Sequence, residues 1–167
     1  VFSTDREARE IMDNDNGIIQ GISSIAGKNL YHNGDLDRKE LASLIFNDNA
    51  LLEKVNSLVH PIVFDHFNRW EKEQTTPYVI MEAAILFESG GSNLVDKIAT
   101  IVAPIEERLN RVIHRNSLSR DQVLDRMRNQ IDDESRIKLS DYVIFNSEND
   151  MKAWMKFGLT TRQMRIS

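Results

Sequence analysis

Seven arginines crowd into residues 108–136: Arg108, Arg111, Arg115, Arg120, Arg126, Arg128 and Arg136. A guanidinium fork matches phosphate oxygens two at a time, so a helical stretch this rich in arginine reads as a lid closing over phosphates. Arg108, Arg111 and Arg115 fall at i, i+3 and i+7 of a helix that Pro104 opens. They share one face beside an apolar stripe of Ile105, Leu109 and Val112. An ordinary solvated face competes with this reading, because Glu106, Glu107, Asp121, Asp125, Asp132 and Asp133 nearly balance the charge. A second candidate is Asp5, the last residue of Val1–Asp5, which reads as the tail of a strand. A helix is expected to begin near Asp5 or Arg6. Asp5 then either caps that helix or stands at the C-terminal edge of a parallel sheet, where ligands of open α/β folds bind. His60 is the third, directly before Pro61.

These residues need elements to hold them. Three short apolar runs, Tyr78–Met81, Ile98–Val102 and Tyr142–Phe145, are bounded by turn residues and predict buried parallel strands separated by helices. Asp13–Lys28 predicts a short helix and a turn near Gly27. Leu36-Asp37-Arg38-Lys39-Glu40-Leu41 carries a capping signature: Asp37 as cap, Glu40 reciprocating, Leu36 stapled on Leu41. Leu41, Leu44 and Ile45 continue as a buried stripe. Asp48 or Asn47 caps a further helix with Leu51, Leu52, Val55 and Leu58 inward. Proline disfavours helical geometry in the residue before it, so His60 is expected to mark a break and to satisfy open carbonyls there. Pro61 then opens a helix carrying Ile62, Val63, Phe64, Phe67 and Trp70. The arginine lid is expected as two helices, the second capped by Ser119 with Gln122. Asp150–Phe157 reads as a helix ending at Gly158.

Composition narrows the function. A chain of 167 residues is one domain's worth, and 41% hydrophobic with 28% charged residues fits a globular protein. A net charge of −5 disfavours a general nucleic-acid binder. The absence of cysteine rules out disulfides and thiolate metal sites. No apolar run is long enough to span a bilayer.

In order and spacing, residues 1–146 resemble dephospho-coenzyme A kinase, the last enzyme of coenzyme A synthesis. The resemblance rests on Ile85-Leu86-Phe87-Glu88-Ser89 after the first run, the strand Asp96–Val102, and the spaced arginines Arg108, Arg111 and Arg115. It continues through Gln130 and the strand Asp141–Asn146. It implies an α/β, three-layer P-loop-kinase-like domain with a parallel sheet. Core segments would be 1–30, 77–104 and 140–167, with a helical acceptor-binding insertion over 31–76 and an Arg-rich helical lid over about 105–139. The implied reaction is transfer of the ATP γ-phosphate to the ribose 3′-hydroxyl of dephospho-coenzyme A, in the cytoplasm, with Mg2+ arriving on ATP and no resident metal. The implied partners are ATP and dephospho-coenzyme A, with neither nucleic acid nor membrane. Asp5 matches the second aspartate of an aspartate–x–aspartate pattern and is implied as general base; Ser3 stands where the first aspartate would be. Arg38, His60, Leu86, Phe87 and Glu88 are implied as acceptor contacts, and Arg111, Arg115 and Asn146 as ATP contacts. Arg126 and Arg136 match basic positions more loosely, and Arg108 replaces a glutamine common in the family. The family opens with a glycine-rich Walker loop, and no G-x-x-x-x-G-K-[ST] pattern occurs in this sequence. It is expected just before Val1, and without it the chain is expected to be inactive. Two alternatives stand beside this reading: another nucleoside or nucleotide kinase, or a non-catalytic nucleotide-binding module.

Overall fold

A computed structural model describes residues 1–46, 48–116, 119–128, 130–147, 150–157 and 160–164, with backbone only for 116, 125, 126 and everything after 149. Two compact units divide the chain, Val1–Ser89 and Gly90–Ser167.

The first unit runs β1 (Phe2–Ser3), α1 (Thr4–Asn14), α2 (Asn16–Ala26), β2 (Tyr31–His32), β3 (Asp35–Leu36), α3 (Arg38–Phe46), α4 (Asn49–Lys72) and β4 (Met81–Glu82). Its local signals are polar. Asp15 caps α2 by accepting from the Gly17 and Ile18 N–H groups, and Gly27 closes it at φ 69°. Asn33 and Gly34, at φ 55° and 96°, turn β2 into β3 in an antiparallel hairpin. Asp37 caps α3 through the Glu40 N–H at 2.9 Å. The reciprocal arm is not made. Glu40 instead pairs with Lys28, and the Asp37 N–H donates to the Leu30 carbonyl at 2.8 Å. Leu36 and Leu41 are both buried as expected, with Leu44 and Ile45 half-buried.

Helix α4 is the axis of this unit. Asp48 caps it through the Leu51 N–H at 2.9 Å, and it then runs 24 residues straight through Pro61. The break expected at His60 does not occur. Val55, Val59, Val63 and Phe67 form one buried stripe on both sides of the proline. Burial along that stripe outweighs the one ladder bond proline removes, while the ring itself is exposed. Leu51 and Leu52, one turn before Val55 on the same face, and Leu58, beside Val59, are only half-buried. Gly21 of α2 faces Leu58 so closely that a Cβ there would lie 2.5 Å from its Cδ2. β1 docks on the same helix: the Phe2 ring lies 5.3 Å from Phe67 and 5.4 Å from Trp70. β1 pairs with β4 in parallel, Phe2 with Met81 and Ser3 with Glu82. The parallel pairing is as expected, but the burial is not. Tyr78 is 73% and Ile80 50% exposed, and both precede the strand, which covers Met81–Glu82 and not the expected Tyr78–Met81.

The second unit contains a short 3-10 turn at Gly91–Leu94, then β5 (Ala99–Val102), α5 (Ile105–Asn116), α6 (Arg120–Arg128), α7 (Asp133–Leu139), β6 (Tyr142–Ser147), β7 (Asp150–Phe157) and β8 (Thr160–Met164). β5 and β6 are parallel, from Ala99 opposite Tyr142 to Val102 opposite Phe145. Thr100, Val102 and Val143 are buried while Ile101 is 60% exposed, so one face of the pair is covered and the other open. Leu109 of α5 is fully buried. Ser119 and Gln122 make both arms of their capping box, at 2.9 and 3.3 Å. The arginine stretch holds three helices rather than two, because Asp132 caps α7 through the Ser135 N–H at 2.8 Å. Asp150–Phe157 is likewise not a helix. It is a strand, antiparallel to β6 and followed by β8 in the order β5-β6-β7-β8. Met151, Ala153, Met155 and Phe157 recur at every second position, which is strand spacing. Gly158, where that helix was expected to end, lies outside the described residues.

Candidate active site

Asp5 is the second residue of α1, not its cap; Ser3 holds the cap position and makes no side-chain cap bond. The capping reading of Asp5 therefore fails. Its side chain is exposed at the C-terminal end of β1, and among the described residues no hydrogen bond or ion pair engages it. The neighbouring Thr4 hydroxyl donates to the Glu82 carbonyl at 3.1 Å, tying the start of α1 to the end of β4. The turn that follows β4 carries Leu86, Phe87 and Glu88, the first two half-buried and the third exposed. Asp5 and this turn thus leave the same C-terminal edge of a parallel strand pair, the edge where open α/β sheets bind ligands.

Arg38 opens α3 and turns to the far end of α1. It pairs with Asp13 at 2.6 Å and donates to the Arg9 carbonyl at 3.2 Å. Asp13 lies eight residues beyond Asp5, roughly 12 Å along the helix axis. Beside this pair the Tyr31 hydroxyl donates to the Met12 carbonyl at 2.8 Å. Burial and then Asp13 push the Tyr31 phenol up, with Arg38 pulling the other way. His60 sits inside α4, half-buried, its ring 6.1 Å from Phe64. Burial holds its imidazolium below the ordinary range. It cannot be satisfying open carbonyls at a helix end, because the helix does not end there.

In the second unit the structure brings together two of the expected nucleotide residues. Arg111 donates to the backbone carbonyl of Asn146 at 3.4 Å and pairs with Glu107 at 3.1 Å. Asn146 lies one residue past Phe145, which stands opposite the last residue of β5, so Arg111 reaches the C-terminal edge of the parallel pair. Arg115 is exposed one turn further along α5. The side chain of Arg126 lies outside the described residues. Part of the arginine charge is neutralised internally: Arg120 pairs with Glu106, and Arg108 and Arg136 both bind Asp133.

Among the described residues, His32, Asp37 and Glu40 bring one potential metal ligand each within 4.8 Å of one another. Asp37 already caps α3 there and Lys28 already pairs with Glu40, so the cluster is accounted for without an ion. Three pairings escaped the sequence reading: Glu7 with His66 at 2.6 Å, Asp13 with Arg38, and Asp133 with two arginines. Glu7–His66, Asp13–Arg38 and Asp133–Arg108 join residues at least 25 positions apart, which neither capping nor i,i+3 and i,i+4 rules register; Asp133–Arg136 is an i,i+3 pair within α7.

Comparison with known proteins gives a consistent result. The family model described as dephospho-CoA kinase matches residues 1–152. A dephospho-CoA kinase of Fusobacterium nucleatum is 33% identical over 149 residues, which cover 89% of this chain and 77% of the relative. A crystal structure from Thermus thermophilus superposes with a TM-score of 0.74 at 31% identity, over 87% of this chain and 74% of that one. The dephospho-CoA kinase of Campylobacter jejuni superposes with a TM-score of 0.57 at 28% identity, over 88% and 75%.

Proposed function

The chain belongs to the dephospho-CoA kinase family, with its α/β P-loop-kinase-like fold, and from that premise we propose that it serves the transfer of the ATP γ-phosphate to the ribose 3′-hydroxyl of dephospho-coenzyme A. Asp5 acts as general base: its carboxylate accepts the 3′-hydroxyl proton as that oxygen attacks the γ-phosphorus, and ADP leaves with the bridging oxygen. The observation that carries this role is the exposed, unengaged carboxylate of Asp5 at the C-terminal end of β1, on the strand edge that also carries Leu86, Phe87 and Glu88. Those three residues, with Arg38 and His60, form the acceptor side, Phe87 as an apolar wall and Glu88 orienting a polar group. The depressed basicity of His60 supports a neutral imidazole there, able to accept as well as donate a hydrogen bond.

On the nucleotide side Arg111, Arg115 and Asn146 receive ATP. The Arg111 contact with the Asn146 backbone supports assigning both to one ligand. Guanidinium groups aimed at the phosphates neutralise charge as the γ-phosphoryl moves. Magnesium belongs to the nucleotide co-substrate, and the chain contributes positioning rather than a resident metal. No helix among the described residues is long and apolar enough to cross a membrane; a cytoplasmic place rests on the family's part in coenzyme A synthesis.

Asp5→Asn in a full-length chain that carries the Walker loop tests the chemistry. General-base loss should lower kcat by about 10²- to 10⁴-fold, with KM for both substrates little changed. Activity held within about tenfold of wild type would remove Asp5 from the mechanism.

A further inference from the structure

The arginine helix α5 is not free to present its side chains at any angle. Its first arginine, Arg108, lays both terminal nitrogens on the Asp133 carboxylate, Nη1 at 3.1 Å from Oδ1 and Nη2 at 2.5 Å from Oδ2. The second helix partner, Arg136 of α7, also donates to Asp133 Oδ1. Asp133 therefore serves two guanidinium groups, whose side chains are only 23% and 19% exposed. Both arginine Nε atoms are buried without an acceptor among the described residues, so these side chains have little else to hold them. A half-buried pair of like charges bridged by one carboxylate is a high-stakes arrangement: with the acid in place the forks are fixed, and without it they repel. The consequence reaches along the helix. Arg111 and Arg115 follow Arg108 at i+3 and i+7 on the same face, so the rotation that Asp133 imposes on Arg108 also fixes where they point. Arg111, thus oriented, meets the Asn146 carbonyl at the end of β6.

We propose that Asp133 is the positioning residue of the nucleotide arginines: it never touches ATP, but by clamping Arg108 and Arg136 it presets α5 so that Arg111 and Arg115 are in place before ATP arrives. This rests on the assignment of Arg111 and Arg115 to ATP. Preorganisation of this kind lowers the ordering cost of binding, so it acts on ATP affinity and not on the affinity for dephospho-coenzyme A.

Calorimetric titration of ATP and of dephospho-coenzyme A into a chain that carries the family's Walker loop, well below its melting temperature and with folding checked by circular dichroism, tests it. Asp133→Asn should weaken ATP roughly 3- to 30-fold, the range for residues acting through others, and leave dephospho-coenzyme A unchanged. Adding Arg108→Gln to Asp133→Asn relieves the charge left unpaired on α5 but restores no clamp, so ATP affinity should stay low; its recovery would assign the loss to repulsion and overturn the positioning role, whereas Asp133→Glu, which keeps a carboxylate for both arginines, should recover part of the affinity. If Asp133→Asn does not fold, the double variant and Asp133→Glu carry the comparison. Unchanged ATP affinity in a folded Asp133→Asn, or equal loss for both ligands, overturns the proposal. Wild type that binds no ATP, or an Arg115→Ala that binds it normally, overturns the underlying assignment instead.

Discussion

The two units of this chain are held together by different forces. In Val1–Ser89 the buried set is almost wholly apolar: Ile18, Ile22 and Leu30 from the outer elements, and Val55, Val59, Val63 and Phe67 along α4. Charged pairs there stay at the margins, at helix starts and between neighbouring helices. In Gly90–Ser167 fewer apolar side chains are buried among the described residues, and Thr100 and Ser140 share a buried hydrogen bond of 2.7 Å. Charge fills the gap, through Arg108–Asp133–Arg136, Lys97–Asp141 and Arg111–Glu107. The difference follows from what each unit handles in the proposed reaction. A scaffold for an apolar wall and one exposed carboxylate needs a core, whereas a scaffold for arginines must compensate their charge without consuming it.

The contrast breaks most visibly at Phe67. This ring is 2% exposed and meets both Phe2 and Trp70, so Phe67→Ala should cost about 3–5 kcal/mol in urea unfolding, and Trp70 fluorescence should report the change. A loss below about 1 kcal/mol would mean that α4 is not the apolar axis of its unit. The next effect is pH-dependent. The folded His60 pKa lies below its unfolded value, so between the two the unfolded chain binds more protons. Stability contributed by neutral His60 is complete above the unfolded pKa of about 6.5 and is lost as pH falls through the window below it. His60→Gln should flatten the slope of stability against pH between neutrality and mild acid, by no more than one proton's worth. An unchanged slope would assign the acid sensitivity elsewhere.

Much of this architecture was legible in the sequence where the signal was local. Asp37 and Asp48, both expected as caps, each sit before a helix and cap it, because a cap depends on three or four consecutive residues; Asp15 and Asp132 cap α2 and α7 in the same way, and neither was expected. Two of the three apolar runs form strands as expected, β5 and β6, while the first forms one only at Met81–Glu82 and pairs with β1 in a separate sheet. What failed was long-range. Pro61 looks like a boundary to its neighbours, and only the buried stripe from Val55 to Phe67 carries the helix through it. Glu40 was expected to bond the Asp37 N–H, but Lys28, twelve residues earlier, takes the carboxylate. Asp150–Phe157 shows how two periods compete: its composition suits a helix, its every-second-residue apolar pattern suits a strand, and pairing with β6 decides. In the candidate site the residue types were legible, and their company was not. Nothing near Arg111 in sequence announces the Asn146 carbonyl 35 positions away.

The finest distinction lies within the charged unit, between two ion pairs of equal length. Lys97–Asp141 and Arg120–Glu106 both measure 2.8 Å. The first pair does more than attract: Asp141 also accepts the Ile98 N–H at 2.9 Å, joining the start of β5 to the start of β6. The Lys97 ammonium, followed by that N–H, holds the Asp141 carboxyl below the usual carboxylate range. Asp141→Asn keeps the shape and one acceptor but loses the charge, and should cost about 1 kcal/mol, since a hydrogen bond to a charged group is the stronger kind. Glu106 and Arg120 are 65% and 53% exposed and, among the described residues, bond only to each other through their side chains, so water and salt screen most of their attraction. Glu106→Gln should change stability by less than about 0.5 kcal/mol. Measured side by side in urea, an Asp141→Asn cost no larger than that of Glu106→Gln would mean that distance alone sets the worth of a pair here. A larger cost for Asp141→Asn means that a charge which also holds a strand N–H is worth more than one that only faces its partner.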